Sequence, residues 1–169
     1  MSSPLLQFEL LDESHADELY PEFTEEESFR YTSGRMPTSV QALRKEFSEL
    51  RAGPAPGSDD IWLNWVIREP ATAKLVGALQ ATVFNDGALW IGYRIIRSAS
   101  GRGVATASVQ WLLRELASRY PGRAALAAVD TRNTPSLRVM EKCGFSLLKT
   151  ESAQIRGEPT QDHVFQYIL

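Results

Sequence analysis

The sequence predicts an α+β fold in which a mixed, mostly antiparallel sheet carries packed helices. Three observations predict it. A helical front is closed by the loop AGPAPGSDD (Ala52 to Asp60), a run of strand-like segments follows between Ile61 and Ile96, and helix and strand patterns then alternate to the end.

The elements follow in order. LLQFELL (Leu5 to Leu11) reads as a first strand, and DESHADELYPEF as a short helix that Pro21 interrupts or ends. TSVQALRKEFSEL has Thr38 or Ser39 as its cap and Val40, Leu43, Phe47 and Leu50 at helical spacing. IWLNWVI alternates, with Ile61, Leu63, Trp65 and Ile67 on one face, and stops at the turn-like REPATAK. KLVGALQATVF is the next strand, the turn signal NDG (Asn85 to Gly87) follows, and ALWIGYRII is the antiparallel partner. From Gly103 the period becomes helical: Ala105, Val109, Leu112, Leu113 and Leu116 share a face, and YPG (Tyr120 to Gly122) ends it. RAALAAVD is an apolar, buried strand, and NTPSLRVMEKCG a compact helix capped by Asn133 or Thr134, with Pro135 in its first turn and Gly144 past its end. FSLLKTESAQI and DHVFQYIL close the chain as two strands joined around RGEPTQ.

The 169 residues suit one domain, 1–169, with a full core. A content of 43% hydrophobic residues is too apolar for a disordered chain. A formal net charge of −3 offers no general basic surface for nucleic acid. No basic leader or run of about 20 apolar residues suggests export or a membrane, so a cytoplasmic protein with no membrane partner is expected. Cys143 is the single cysteine, and His15 and His163 form no metal pattern, so no metal is expected.

The chemistry concentrates in SASGRGVATASVQWLLR (Ser98 to Arg114), where two glycines and two alanines weaken the start of an amphipathic helix. A strand ends there, small residues turn the chain, and unpaired N–H groups point out of the helix with the positive end of its dipole. Such a site receives an anion, and the small side chains let a phosphate reach the main chain. A Walker loop would need Gly-Lys-Ser/Thr, which is absent, and GRGVAT puts Thr106 where a dinucleotide fingerprint needs its last glycine.

The loop resembles the pyrophosphate loop of the GNAT superfamily of acyl-CoA-dependent N-acetyltransferases, Arg/Gln-x-x-Gly-x-Gly/Ala. The match is at Gly103 and Ala105, with a departure at Ser100, where the family usually has Arg or Gln. NTPSLRVMEKCGF resembles the Asn-x-x-Ser-(x)4-Glu-Lys-x-Gly-Phe signature of the same superfamily, with Asn133, Ser136, Glu141, Lys142, Gly144 and Phe145 in register. IGYRI and IRGEPTQDHVFQYIL resemble the Rim-type branch, named for enzymes that acetylate N-termini of ribosomal proteins. The likeness runs from about Lys74 to Leu169, and over the front third only by element order.

The resemblance implies a GNAT-like sheet of about seven strands, twisted, with helices on both faces and splayed between the fourth and fifth strands. Acetyl-CoA would be the cosubstrate, its pantetheine pairing with main chain near Ile95 and Ile96. Its pyrophosphate would lie on the loop Gly101, Arg102, Gly103, Val104, Ala105 and Thr106, with the side chains of Arg102 and Arg138 reaching the phosphates. A primary amine, on a peptide N-terminus or a small molecule, would attack the thioester directly in a monomer or homodimer. Asn133 would hold pantetheine or orient a water, or simply cap its helix. Ser136 aligns with a serine proposed to protonate the departing thiolate, or is a polar residue of the first turn. Tyr167 and Cys143 read as packing, and His163, beside Asp162, as a lesser candidate base.

A base often found two residues before the Gly-Tyr pair is replaced here by Trp90. At pH 7 deprotonation costs about 1.4 kcal/mol for an α-amine of pKa near 8 and about 4.6 for a lysine near 10.4, so Trp90 favours a weakly basic amine. The base could equally come from Glu25 to Glu27, and FRYTSGRMPTS (Phe29 to Ser39), with Arg30, Tyr31 and Arg35, would form the acceptor loop; Trp62 and Trp65 would wall it or pack in the core, which the alternation of Trp65 with Ile61, Leu63 and Ile67 favours for Trp65. The alternative is a catalytically silent acyl-CoA-binding regulatory module, for which the departures at Ser100 and Trp90 speak.

Overall fold

The computed structural model describes residues 4–169. Seven strands form one sheet in the order β1-β2-β3-β4-β5-β7-β6: β1 (Gln7–Leu10), β2 (Ile61–Glu69), β3 (Lys74–Val83), β4 (Leu89–Ile95), β5 (Ala124–Asp130), β6 (Ser146–Ile155) and β7 (Glu158–Ile168). The helices are α1 (Ala16–Phe23), α2 (Val40–Ala52), α3 (Val104–Arg119) and α4 (Thr134–Lys142). Every neighbouring pair of strands is antiparallel except β4 and β5. That pair comes from the crossover through α3, and it is the expected mixed sheet.

The two faces of the sheet are covered by different helices, which is why β2 is buried on both sides at Trp65, Val66 and Ile67 rather than on one face alone. One face receives α3. Val109, Leu112, Leu113 and Leu116 are buried there, and Trp111 stacks on Phe8 at 4.0 Å between ring centroids and meets Trp65 edge-on at 5.5 Å. The other face receives α1 and α2, which bury Leu19, Phe23, Leu43 and Phe47. Burying four such side chains contributes on the order of 8 kcal/mol before the entropy of ordering them.

Local chemistry sets the boundaries. Ser39 caps α2, its Oγ accepting from the Ala42 amide at 3.0 Å. Pro21 lies inside α1 rather than at its end. The helix continues to Phe23 because proline forfeits only its own N–H, while Leu19 and Phe23 anchor the turn on either side of it. The closing connection is shorter than RGEPTQ. Arg156 and Gly157 both have positive φ (52° and 84°), a two-residue hairpin turn, and Glu158 to Gln161 already belong to β7. Pro159 is tolerated there because that stretch of β7 pairs only with the edge strand β6.

Gly77 has a packing reason inside β3. A Cβ built there would overlap the Arg94 carbonyl oxygen of β4 and lie 3.0 Å from Ile95 Cδ1. Gly77→Ala should therefore force β3 and β4 apart and cost about 2 kcal/mol, read as a fall of about 4 to 8 °C in Tm by calorimetry.

Candidate active site

The β4–β5 pairing lasts for two residue pairs, Leu89 with Ala125 and Trp90 with Leu126, and then ends. Beyond Trp90 the strands part. Ile96 donates to the Val76 carbonyl at 3.0 Å, so alternation along this antiparallel pair turns the main-chain groups of Arg94 toward β3 and those of Tyr93 and Ile95 toward the gap. Of the two isoleucines expected near pantetheine, Ile95 presents its main chain to the gap, while Ile96 has its amide bonded to Val76 and its side chain buried.

A cavity of about 860 Å³ runs through this gap and past both sides of β4. At one end it meets the loop before α3. Gly101 (φ 75°) and Gly103 (φ 79°) take left-handed backbone that only glycine adopts without strain, and Gly103 is the N-cap of α3. Among the described residues no side chain caps this helix, and its first internal bond runs from the Ala107 amide to Gly103 O at 3.0 Å. The amides of Val104, Ala105 and Thr106 are thus left as donors at the positive end of the dipole. Ser100, Gly101, Gly103, Val104, Ala105 and Thr106 all line the cavity. Arg102 lies outside the lining, its guanidinium held in an ion pair with the buried Glu69 of β2. Arg97, Arg138 and Lys142 do line it, and among the described residues none of the three is in an ion pair.

The turn from β5 into α4 sets the opposite wall. Asp130 is buried and its carboxylate binds Arg132 three ways: the backbone amide at 2.9 Å, Nε at 2.9 Å and Nη2 at 2.8 Å. The Arg132 hydrogen bonds hold the Asp130 carboxyl below its ordinary range. Asn133 caps α4, its Oδ1 accepting from the Ser136 amide at 3.3 Å, and both Asn133 and Ser136 line the cavity. Ser136 faces the Tyr93 hydroxyl, which is buried and lacks a hydrogen-bond partner among the described residues. Burial pushes the Tyr93 phenol up to about 12, with Ser136 acting against that shift. Such a phenol stays protonated and can donate a hydrogen bond. Full transfer of its proton to a thiolate of pKa about 8.5 would be uphill by roughly 5 kcal/mol.

Several sequence candidates lie elsewhere. Trp65 is buried against Trp111, and neither it nor Trp62 lines the cavity. Tyr31 does, but Arg30 and Arg35 do not, and Arg30 pairs with Glu27 at 3.2 Å. Cys143 packs under α3, its Sγ 3.6 Å from Thr106 O, and burial raises its thiol to about 11, which makes it a poor nucleophile. His163 bonds Thr150 at 2.8 Å and is not a cavity residue. Tyr167 packs on Phe145 at 5.5 Å.

Two charged residues that the sequence reading passed over stand at the far end of the cavity. Glu46 of α2 lines it, with its carboxyl still in contact with water yet crowded enough that burial raises its pKa, the Arg94 charge opposing and Glu49 adding. Its signal was faint: Glu46 sits at the margin of the stripe Leu43, Phe47 and Leu50, where a charge reads as surface. Arg94 reads in sequence as one of the polar positions of an alternating strand.

The family profile described as "Acetyltransferase (GNAT) domain" matches residues 6–146. The chain belongs to the GNAT acetyltransferases. It therefore has the fold expected of the family, including the splay after Trp90, and its activity class is acyl-CoA-dependent acetyl transfer. Solved structures agree in fold. RimL, a ribosomal L7/L12 α-N-protein acetyltransferase in complex with coenzyme A, is 20% identical with a TM-score of 0.85, over 99% of this chain and 96% of that one. A ribosomal-protein-S5-alanine acetyltransferase from Vibrio fischeri is 16% identical with a TM-score of 0.81, over 99% and 95%. The microcin C7 self-immunity acetyltransferase MccE, in complex with acetyl-CoA and AMP, is 13% identical with a TM-score of 0.84, over 100% and 98%. No curated protein sequence matches the chain.

Proposed function

We propose that this GNAT domain transfers the acetyl group of acetyl-CoA to a primary amine by direct attack. The observation that carries the reading is the uncapped N-terminus of α3, opening at the point where β4 leaves β5. The site fits coenzyme A in its donors: three amides on a left-handed glycine turn and three cations, Arg97, Arg138 and Lys142, all without a partner among the described residues, suit a chain of phosphates. The orphaned Tyr93 hydroxyl and the gap-facing main chain of Tyr93 and Ile95 suit the polar groups of the pantetheine and thioester end. Arg102 would act through its amide, since its side chain is committed to Glu69. Asn133 serves as a cap, and its amide nitrogen, without a protein partner among the described residues, is free for the cofactor arm.

Acetyl-CoA, when bound, supplies the thioester carbonyl that the amine attacks. The main-chain N–H groups of β4 in the gap donate to the carbonyl oxygen as negative charge gathers there. Glu46 takes the proton that the amine gives up, which answers the loss of a carboxylate at Trp90. Its carboxyl lines the cavity, and the raised pKa makes it a somewhat stronger base than a glutamate at its ordinary value. The Ser136 and Tyr93 hydroxyls donate hydrogen bonds to the departing sulfur. A peptide N-terminus is the favoured acceptor in view of the RimL likeness.

The direct test is calorimetric titration with acetyl-CoA followed by thiol release against peptide N-termini and small amines. Binding with release is expected, and the absence of both would refute the reading. Gly103→Val should strain the φ 79° turn and place its methyls over the anion site, weakening coenzyme A binding at least tenfold, about 1.4 kcal/mol. Glu46→Gln should lower kcat by about 100-fold with acetyl-CoA affinity unchanged. Ser136→Ala should lower kcat by about tenfold, again without a change in acetyl-CoA affinity, in a thiol-release assay.

A further inference from the structure

Arg94 is a cation with no ion-pair partner within 4.0 Å among the described residues, and none of its side-chain nitrogens makes a hydrogen bond to the described protein. It projects from β4 onto the α1–α2 face of the sheet, away from the phosphate loop. Its guanidinium lies 4.1 Å from the Phe29 ring centroid and 5.0 Å from that of Phe23, and it lines the cavity. The loop after Phe29 comes close to it, a Cβ at Gly34 being 3.6 Å from Nη2, so the absent side chain leaves the guanidinium edge clear. A desolvated charge flanked by aromatic faces is costly unless something neutralises it, and two phenyl rings offset only part of that cost. Glu46 is near enough to feel Arg94 but does not pair with it. Glu27 also lines the cavity, but its carboxylate is paired with Arg30 at 3.2 Å, so Arg94 and Glu46 are the positive and negative groups that face this space without cancelling each other.

Resting on the reading above, we infer that Arg94 and Glu46 select an acceptor amine that carries a carboxylate: Arg94 holds the carboxylate and Glu46 the ammonium group that will be acetylated. The guanidinium fork offers two parallel N–H donors to such a group. A single carboxylate balances the one cation, whereas a phosphate would bring a second negative charge beside Glu46, and a polyamine would bring further positive charge beside Arg94. The carboxylate could be the α-carboxylate of a free amino acid or an acidic side chain at a peptide N-terminus.

The test is calorimetric binding of two matched pairs to the coenzyme A-saturated protein: glycine against glycinamide, and Asp-Ala-amide against Asn-Ala-amide. The carboxylate member of at least one pair should bind at least tenfold tighter, and the pair that discriminates identifies the source. Arg94→Gln should abolish the difference, with its coenzyme A affinity within twofold of wild type as the check on folding. Arg94→Lys, which keeps the charge but loses the fork, should reduce the difference at least threefold, and it decides the matter alone if R94Q does not bind coenzyme A. No discrimination in the wild type, no binding of any member up to 10 mM (roughly −2.7 kcal/mol), or discrimination that survives the substitutions overturns the inference. Thiol release from acetyl-CoA, run on the same pairs, separates the two readings. Release without a carboxylate preference leaves the transfer reading standing and removes Arg94 from selection, while a preference in binding without release does the reverse.

Discussion

The whole site depends on one failure of pairing. β4 and β5 are hydrogen-bonded for only two residue pairs before they part, so a sheet that is otherwise continuous has a wedge in its middle. Backbone groups that would be satisfied in a complete ladder are instead turned toward a cavity, and an unpaired backbone group in a protein interior has to find a partner. A long, narrow ligand with amides along its length is one way to satisfy them. The cost of the open ladder is offset elsewhere, by a core on both faces and by the ring contacts of Trp111 with Phe8 of β1 and Trp65 of β2.

The wedge also divides the labour of the helices. α3 begins where β4 ends and aims its free amides at the opening, while the Asp130–Arg132 clamp fixes the turn that brings Asn133 and Ser136 to the other wall. Those parts face the cofactor end. The helices α1 and α2 cover the opposite face of β4, where consecutive residues divide between the two sides: Tyr93 toward Ser136 and α4, Arg94 toward Phe23, Phe29 and Glu46. Strand alternation thus puts consecutive side chains of one short segment on opposite sides, as the proposed division between sulfur and acceptor requires.

The loop and the α4 signature were legible because their chemistry is local. Gly101 and Gly103 stand out as a tight glycine turn leading into an amphipathic helix, and Asn133 with Pro135 is a cap signal in any context. The strand order up to β5 followed from turn signals such as NDG. What was not legible depends on tertiary juxtaposition. Arg102 looked like a phosphate ligand, but Glu69, 33 positions earlier in the chain, captures it. The arginines near the cofactor end that remain free are Arg97 and Arg138, and nothing in the local sequence separates them from Arg102. Trp65 alternated correctly, yet only the position of Trp111 on α3 makes it core rather than a wall of the acceptor pocket.

Glu46 shows the same limit from the other side. A glutamate at the margin of an amphipathic stripe is ordinarily solvated, and periodicity alone gives no reason to single it out. It becomes a candidate base because α2 lies across the cavity and because Arg94, on a different element, is close enough to influence its titration without neutralising it. Had the two closed into an ion pair, the carboxylate would be a weaker base and the guanidinium would be spent. Their separation keeps both available, so the far end of the cavity offers charge of both signs to the proposed acceptor, while Arg97, Arg138 and Lys142 offer only positive charge.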